Sequence, residues 1–331
     1  MLTGYRRGLL PLLLCSAIST NQSASAADEP LYVKNTSPFA GLLGLPSQRA
    51  ANTPAPGVAS VALHAGVASH YVRDDSASEY LNLDGETRRV AIDLRYGVAR
   101  GWDVQLEVPW LEHSGGDLDK LIDNWHDFWG MSDGGRTAVP RDLLDYQYAN
   151  STQDIALIQS GSGIGDVSLA ISNAFYHEGD TVVSLALGYK FGTGDDDDFL
   201  GSGADDAYVA VRFSGRQLSD LPLTWHGQAG YLRAGDSELL GPAQQDDLWF
   251  AGLAMDWRVA QWLSLLLQVD AHAAPLDSGL TGVGKDAVLL SVGARWNIAP
   301  RWSLEASVIE DIRVETAPDV TFQASLRYHG G

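Results

Sequence analysis

Residues 90–98, VAIDLRYGV, turn over a single short connection (Ala99-Arg100-Gly101) into residues 102–110, WDVQLEVPW. In the first stretch Val90, Ile92, Leu94, Tyr96 and Val98 share one parity, while Ala91, Asp93, Arg95 and Gly97 share the other. In the second, Trp102, Val104, Leu106, Val108 and Trp110 alternate with Asp103, Gln105 and Glu107. Because successive side chains on a strand point to opposite faces, this is a hairpin with one apolar and one charged face. Each arm has the length of about 9–11 residues that a tilted strand needs to cross a bilayer.

The same period of two recurs outward from this hairpin. Val183, Leu185, Leu187, Tyr189 and Phe191 alternate with Ser184, Ala186, Gly188 and Lys190; Phe322, Ala324, Leu326 and Tyr328 alternate with Gln323, Ser325 and Arg327. The full reading gives strands at 58–72, 86–98, 102–112, 165–177, 180–192, 205–215, 222–233, 247–258, 262–272, 285–297, 302–312 and 318–328. The connections between them run long, short, long, short: 73–85, 113–164, 193–204, 234–246, 273–284 and 313–317 against short turns such as Glu178-Gly179 and Val259-Ala260-Gln261. Outer-membrane barrels have short periplasmic turns and longer external loops, whereas a soluble sandwich has no reason to keep that rhythm. The fold class expected is therefore all-β: a transmembrane antiparallel up-and-down β-barrel of about 12 strands, occupying residues 58–331. Aromatic rings flank three short turns (Tyr96 and Trp102, Trp257 and Trp262, Trp296 and Trp302), as amphipathic rings do at a membrane interface. Trp262 falls on the inward parity of its strand, which calls for a register-shifting bulge or a lumen-facing ring.

The start of the chain reads as an export signal over residues 1–26, with basic Arg6 and Arg7, an apolar run Gly8–Ile18 and a small-x-small site at Ala24-Ser25-Ala26. Leu14 directly before Cys15, the sole cysteine, argues against lipid attachment there. Residues 27–57, rich in Pro, Gly and Ala, form an extended segment that either stays in the periplasm or enters the barrel as a plug; its apolar run Phe39–Leu45 favours docking. The net charge of −20 excludes nucleic acid as a partner, since phosphate binding needs clustered Lys and Arg.

Three stretches, GGDLDKLIDNWHDFWGMSDGGR (Gly115–Arg136), SPFAGLLGLPS (Ser37–Ser47) and GSGADD from Gly201, resemble the DUF3187 family of exported bacterial proteins over the whole mature chain. The resemblance implies a shared barrel and a shared loop helix, and carries no activity or substrate. GIGDV at Gly163 is similar to a phrase found across many outer-membrane barrels. The last strand resembles a barrel-insertion signal, although His329, Gly330 and Gly331 follow its final aromatic, Tyr328.

The loop segment reads as a short helix capped by Asp117 and ended by Gly130. Leu118, Leu121, Ile122, Trp125, Phe128 and Trp129 make one apolar stripe; Asp119, Asp123, His126 and Asp127 make the other face, and Arg136 closes the motif. A stripe with two tryptophans must pack on the rim, enter the lumen or lie on lipid. Asp119, Asp123 and His126 have the donor types for a divalent metal, but such a set on an exposed face is ordinarily solvated, and no metal or cofactor is expected. The inward parity gathers Asp93, Asp103, Glu107, Asp256, Asp270 and Glu305 against Arg89, Arg95, Lys190, Arg212, Arg258, Arg295 and Arg327. Two readings stay open: a sealed, salt-bridged interior, or a polar channel whose wall charges tune selectivity. Asp195–Asp198 reads as a solvated loop tip.

No catalytic constellation is expected. Inward His64, His70, His226 and His272 lack a G-x-S-x-G elbow or an HExxH helix. The expected role is a passive channel, transport or envelope-structural protein in the outer membrane of a Gram-negative bacterium, its solute unspecified. The alternative is an outer-membrane enzyme acting on lipid or envelope substrates. The partners implied are outer-membrane lipids and lipopolysaccharide, and the barrel-assembly machinery during insertion.

Overall fold

A computed structural model describes residues 29–116, 142–218, 221–313 and 315–330. Twelve strands form the wall: β1 (Ala59–Asp75), β2 (Tyr80–Ala99), β3 (Trp102–Ser114), β7 (Val167–Glu178), β8 (Thr181–Phe191), β9 (Asp206–Leu218), β10 (Leu221–Arg233), β11 (Asp247–Ala260), β12 (Leu263–His272), β13 (Ala287–Ala299), β14 (Trp302–Asp311) and β15 (Val320–His329). Each pairs antiparallel with its neighbours in the chain, and β1 pairs with β15 from Ser60 opposite His329 to Ser69 opposite Val320, which closes the sheet. Closure leaves no unpaired edge, so every ladder hydrogen bond within the wall is made without water.

The parity of the sequence is the parity of the wall. On β8, Leu187 is 53% exposed while its neighbour Ala186 is fully buried. Ile92, Leu253, Leu267 and Val292 likewise lie outside, and Asp93, Gln268 and Ser291 lie inside. Bulges mark the short-turn rim, at Gly97/Ala99, Arg258/Ala260 and Asn297/Ala299. The second of these resolves Trp262: the register shifts before it, and the ring sits exposed in the turn rather than in the lumen.

Two expectations about the connections need correcting. The first connection is a four-residue turn, not 73–85, because β1 and β2 stay paired up to Asp75 opposite Tyr80. The hairpin therefore rises past the rim. The third connection, read as loop over 113–164, contains three further strands: β4 (Asp145–Ala149), β5 (Asp154–Leu157) and β6 (Gly161–Ile164). β4 pairs with the projecting end of β2 and with β5, so the raised sheet continues sideways. β6 pairs with the upper part of β3 and leads into β7 through a bend at Gly165-Asp166, where Pro109 has no N–H to give and its carbonyl accepts from the Gly165 N–H instead. Their polar and aromatic alternation (Tyr146, Tyr148) was too short to separate from loop.

A short helix, α1 (Thr281–Gly284), lies in the long connection between β12 and β13. The helix expected in the third connection, with Asp119, Ile122, Trp125, His126, Trp129, Gly130 and Arg136, lies outside the described residues, as does the signal expected over 1–26.

Candidate functional site

The chain before β1 runs inside the barrel. Its outgoing limb starts near the short-turn end, where Glu29 pairs with Arg95 (2.8 Å), four residues from the end of β2. It reaches the loop end at Asn35, which bonds the His272 ring at the last residue of β12 (3.0 Å). A 3₁₀ turn over Ala40–Leu42 reverses it. The returning limb passes Gly44, whose N–H donates to Asp206 (2.7 Å), and comes back to Ala51, whose N–H donates to Ser214 Oγ (2.8 Å). The limbs are tied to each other by Val33 N–H to Ser47 Oγ (3.2 Å), Lys34 Nζ to the Leu45 carbonyl (2.9 Å) and Ala50 N–H to Glu29 Oε2 (2.9 Å). The result is a finger, residues 29–51, standing in the lumen.

Room for it comes from glycines on the inward parity. A Cβ at Gly252 would strike Gln48, and one at Gly293 would crowd Leu31 (3.2 Å).

The inward charges pair partly with one another and partly with the finger. Arg95 bridges Glu29 and Asp103 (2.6 Å). Glu107 gathers Arg89 (2.6 Å), Lys34 (3.5 Å) and the Tyr32 hydroxyl (3.0 Å). Arg49, on the returning limb, pairs with Asp93 and lies 3.7 Å from Glu107. Toward the short turns, Arg295 joins Asp256 (2.5 Å) and Glu305 (2.6 Å), and Arg327 completes the group through Glu305 (3.0 Å). Toward the loops, Lys190 holds Asp166 (2.7 Å) and Asp206 (3.1 Å). Asp270 accepts from Gln48 (2.7 Å) and Gln268 (2.8 Å), and Arg212 donates to Gln228 (3.3 Å). Arg258 is only half-buried, near the short-turn end of β11. Buried charges persist when paired or hydrogen-bonded: most of these have an ion partner, while Asp270 and Arg212 are held by glutamine amides.

The loop end is apolar instead. Phe39, Leu42 and Leu43 of the finger tip sit in a cluster with Leu81 and Leu83 of β2, Tyr146 and Tyr148 of β4, Phe199, and Leu248 and Phe250 of β11. Phe39 is fully buried, and burying a Phe side chain contributes roughly 1.5–3 kcal/mol. The loops are tied over it by polar bonds. Glu79, in the β1–β2 turn, accepts from the Tyr148 hydroxyl (2.8 Å), Ser278 Oγ (2.7 Å) and the Gly279 N–H (2.8 Å). Burial pushes the Glu79 carboxyl up, but these three bonds favour its ionised form and hold it below its ordinary value. Gln153 reaches the Leu240 carbonyl (3.0 Å), and Ser237 Oγ the Ser202 carbonyl (2.5 Å). A cavity of about 80 Å³ remains beside the tip, between Lys34, Leu43, His113, Lys190 and His272.

The inward histidines serve as hydrogen-bond partners. His64 bonds Ser325 (2.8 Å) and stacks on Tyr32 at 3.9 Å, His70 bonds Thr87, His226 bonds Ser214, and His272 bonds Asn35. Among the described residues, no three His, Cys, Asp or Glu converge to hold a metal ion.

Sequence reasoning did not find Glu29, Tyr32, Lys34 and Arg49, because isolated charges in a Pro- and Gly-rich stretch have no period. It also passed over a usable signal for the cap: Leu248 and Phe250 are apolar on the inward parity, beside outward Trp249. A strand apolar on both faces is covered on both faces.

A closed twelve-stranded antiparallel sheet, apolar outside and charged within, defines a transmembrane β-barrel of the outer-membrane, porin-like kind. The chain belongs to the DUF3187 family, described as proteins of unknown function, whose model matches residues 8–329. No curated protein matches it. Among solved structures it is similar to the COG4313 outer membrane channel from Pseudomonas putida F1, at 14% identity and a TM-score of 0.53, covering 84% of this chain and 97% of that one. The NanC porin aligns at 10% identity and a TM-score of 0.46, over 82% of this chain and 99% of the porin. The first likeness is one of fold.

Proposed function

We propose that this chain is an outer-membrane channel held shut, in the conformation described, by its own N-terminal finger. One observation carries the reading: besides an apolar tip (Phe39, Leu42, Leu43) and an apolar patch at Leu31 and Val33, the finger meets the wall through ions and hydrogen bonds along both limbs. Contacts such as Glu29–Arg95, Lys34–Glu107 and Gln48–Asp270 can be replaced by water when the finger leaves, so the wall survives as a hydrated lumen. A barrel sealed permanently would gain more from packing apolar side chains across its centre.

The apolar exterior faces the outer-membrane lipids. By the alternation of turns and loops, the short turns face the periplasm and the capped end faces outward, toward lipopolysaccharide. The C-terminal strand β15 is the segment that the barrel-assembly machinery would engage. The charged wall suits a polar solute.

Conductance in planar bilayers tests this. The full chain should be closed for most of the time, and a variant lacking residues 29–51 should conduct steadily while remaining heat-modifiable on gels. A deletion variant that is heat-modifiable yet silent overturns the proposal. Fractionation that finds the protein soluble in the periplasm would overturn the placement.

A further inference from the structure

We infer that the lumen, once vacated, is a binding site for extended peptide, a reading that rests on the finger being displaceable and adds the class of its competitor. Outside its 3₁₀ turn, the finger has no regular secondary structure, so its buried main-chain groups must find partners elsewhere. The wall supplies them from side chains. Arg295 donates to the Glu29 carbonyl, Arg327 to Pro30 (3.2 Å) and Gln268 to Leu31 (3.3 Å) on the outgoing limb. Lys190 donates to Leu42 (3.0 Å), Gln228 to Pro46 (3.3 Å) and Arg95 to Ala50 (3.3 Å) at the tip and on the way back. Two acceptors complement them, Asp206 for the Gly44 N–H and Ser214 for the Ala51 N–H.

Each of these bonds is made to the peptide unit itself, so it is blind to the side chain that the peptide carries. The array is also donor-rich: four cationic side chains and two amides face carbonyl oxygens. That matches a string of carbonyls, which only accept, better than a string of sugar hydroxyls, which donate as readily as they accept. The donors come from β2, β8, β10, β12, β13 and β15, and they span the lumen from its short-turn end to the loop end. A peptide of another sequence would lose the Arg49, Lys34 and Glu29 ion pairs and keep the main-chain contacts wherever its side chains fit; at the place of Gly44 a Cβ would come within 3.1 Å of Asp206, so a glycine is favoured there.

The finger-deleted protein in planar bilayers provides the test. Its conductance without additive is read first, which reports on the channel proposal alone. Three additives follow from either side: a synthetic peptide of residues 29–51, a peptide of the same length and unrelated neutral sequence, and a linear oligosaccharide of similar girth. Both peptides should interrupt the current, the finger peptide at lower concentration, and the oligosaccharide should not. Combining Gln228→Leu with Gln268→Leu should weaken both peptides by a similar factor of about tenfold, since each loses the same two main-chain bonds. If the deletion variant is silent, binding of the two fluorescently labelled peptides to it in detergent replaces the current as readout. Block or binding by the finger peptide alone would show that the wall reads only its own segment and would overturn the inference. So would stronger block by the oligosaccharide, or no peptide binding in either assay.

Discussion

Replacing Arg49 by Met should release the finger while leaving the wall intact. Arg49 and Asp93 are buried against each other, with side-chain exposures of 9% and 8%, and one arm of Arg49 also lies 3.7 Å from Glu107. Glu107 keeps Arg89 and Lys34 in the variant, so the damage falls on Asp93, whose carboxylate loses its ion pair in a buried site. Removing one partner of a buried pair typically costs about 3–5 kcal/mol. Because the loss is suffered only in the docked state, the docking equilibrium should shift by roughly 150- to 5,000-fold, toward the lower figure as water enters beside Asp93. Two readouts apply: open probability of single channels, and labelling of an Ala51→Cys probe in a Cys15→Ala background, a site fully buried while the finger is docked. Adding Asp93→Leu to Arg49→Met removes the stranded charge and should restore most of the docking, because a buried pair replaced by apolar groups is near neutral. If Arg49→Met changes neither open probability nor labelling, the pair does not hold the finger. A double variant as open as the single one would show that the effect does not run through the Asp93 charge.

Two other expectations follow from the same geometry. Leu187→Arg places a charge on the lipid face and should cost roughly 2–4 kcal/mol in a lipid refolding assay; Ala186→Arg, on the other parity, should fold at less cost in the finger-deleted barrel than in the full chain, where the lumen is already filled, and equal costs in both backgrounds would refute the packing described. Glu79 should make the loop cap acid-sensitive: its carboxyl is held below its ordinary value in the folded state, so its contribution is complete above the unfolded value and is lost as pH falls through the folded one, and proteolysis of the loops should therefore accelerate on acidification in the wild type and much less so in Glu79→Gln.

The legible part of this protein is the part governed by a local period. Val90 to Val98 shows which side chains face lipid because a strand in a bilayer must present apolar atoms at every second position. The same rule points Asp93, Arg95, Glu107, Arg295 and Arg327 inward, and all five are buried. Their partners were not legible. Arg295 meets Glu305 directly opposite on the neighbouring strand, which register alone could supply, whereas Asp256 reaches it from β11, across β12. Asp93 meets Arg49, forty-four residues away on a segment without any period.

The sequence by itself determined the barrel, its strand number and its two faces, since these follow from the bilayer acting on each strand separately. The apolar run Phe39–Leu45 favours docking of the N-terminal segment over free disorder. Only the tertiary structure decided where: closing the sheet brings β2, β8, β9, β10, β12, β13 and β15 around one axis, and only then do six wall donors and the paired charges line a single space that fits the finger. The long loops are the same case. Glu79, Tyr148 and Ser278 hold no shared period, and they become one hydrogen-bonded group because the barrel brings three distant connections to the same rim.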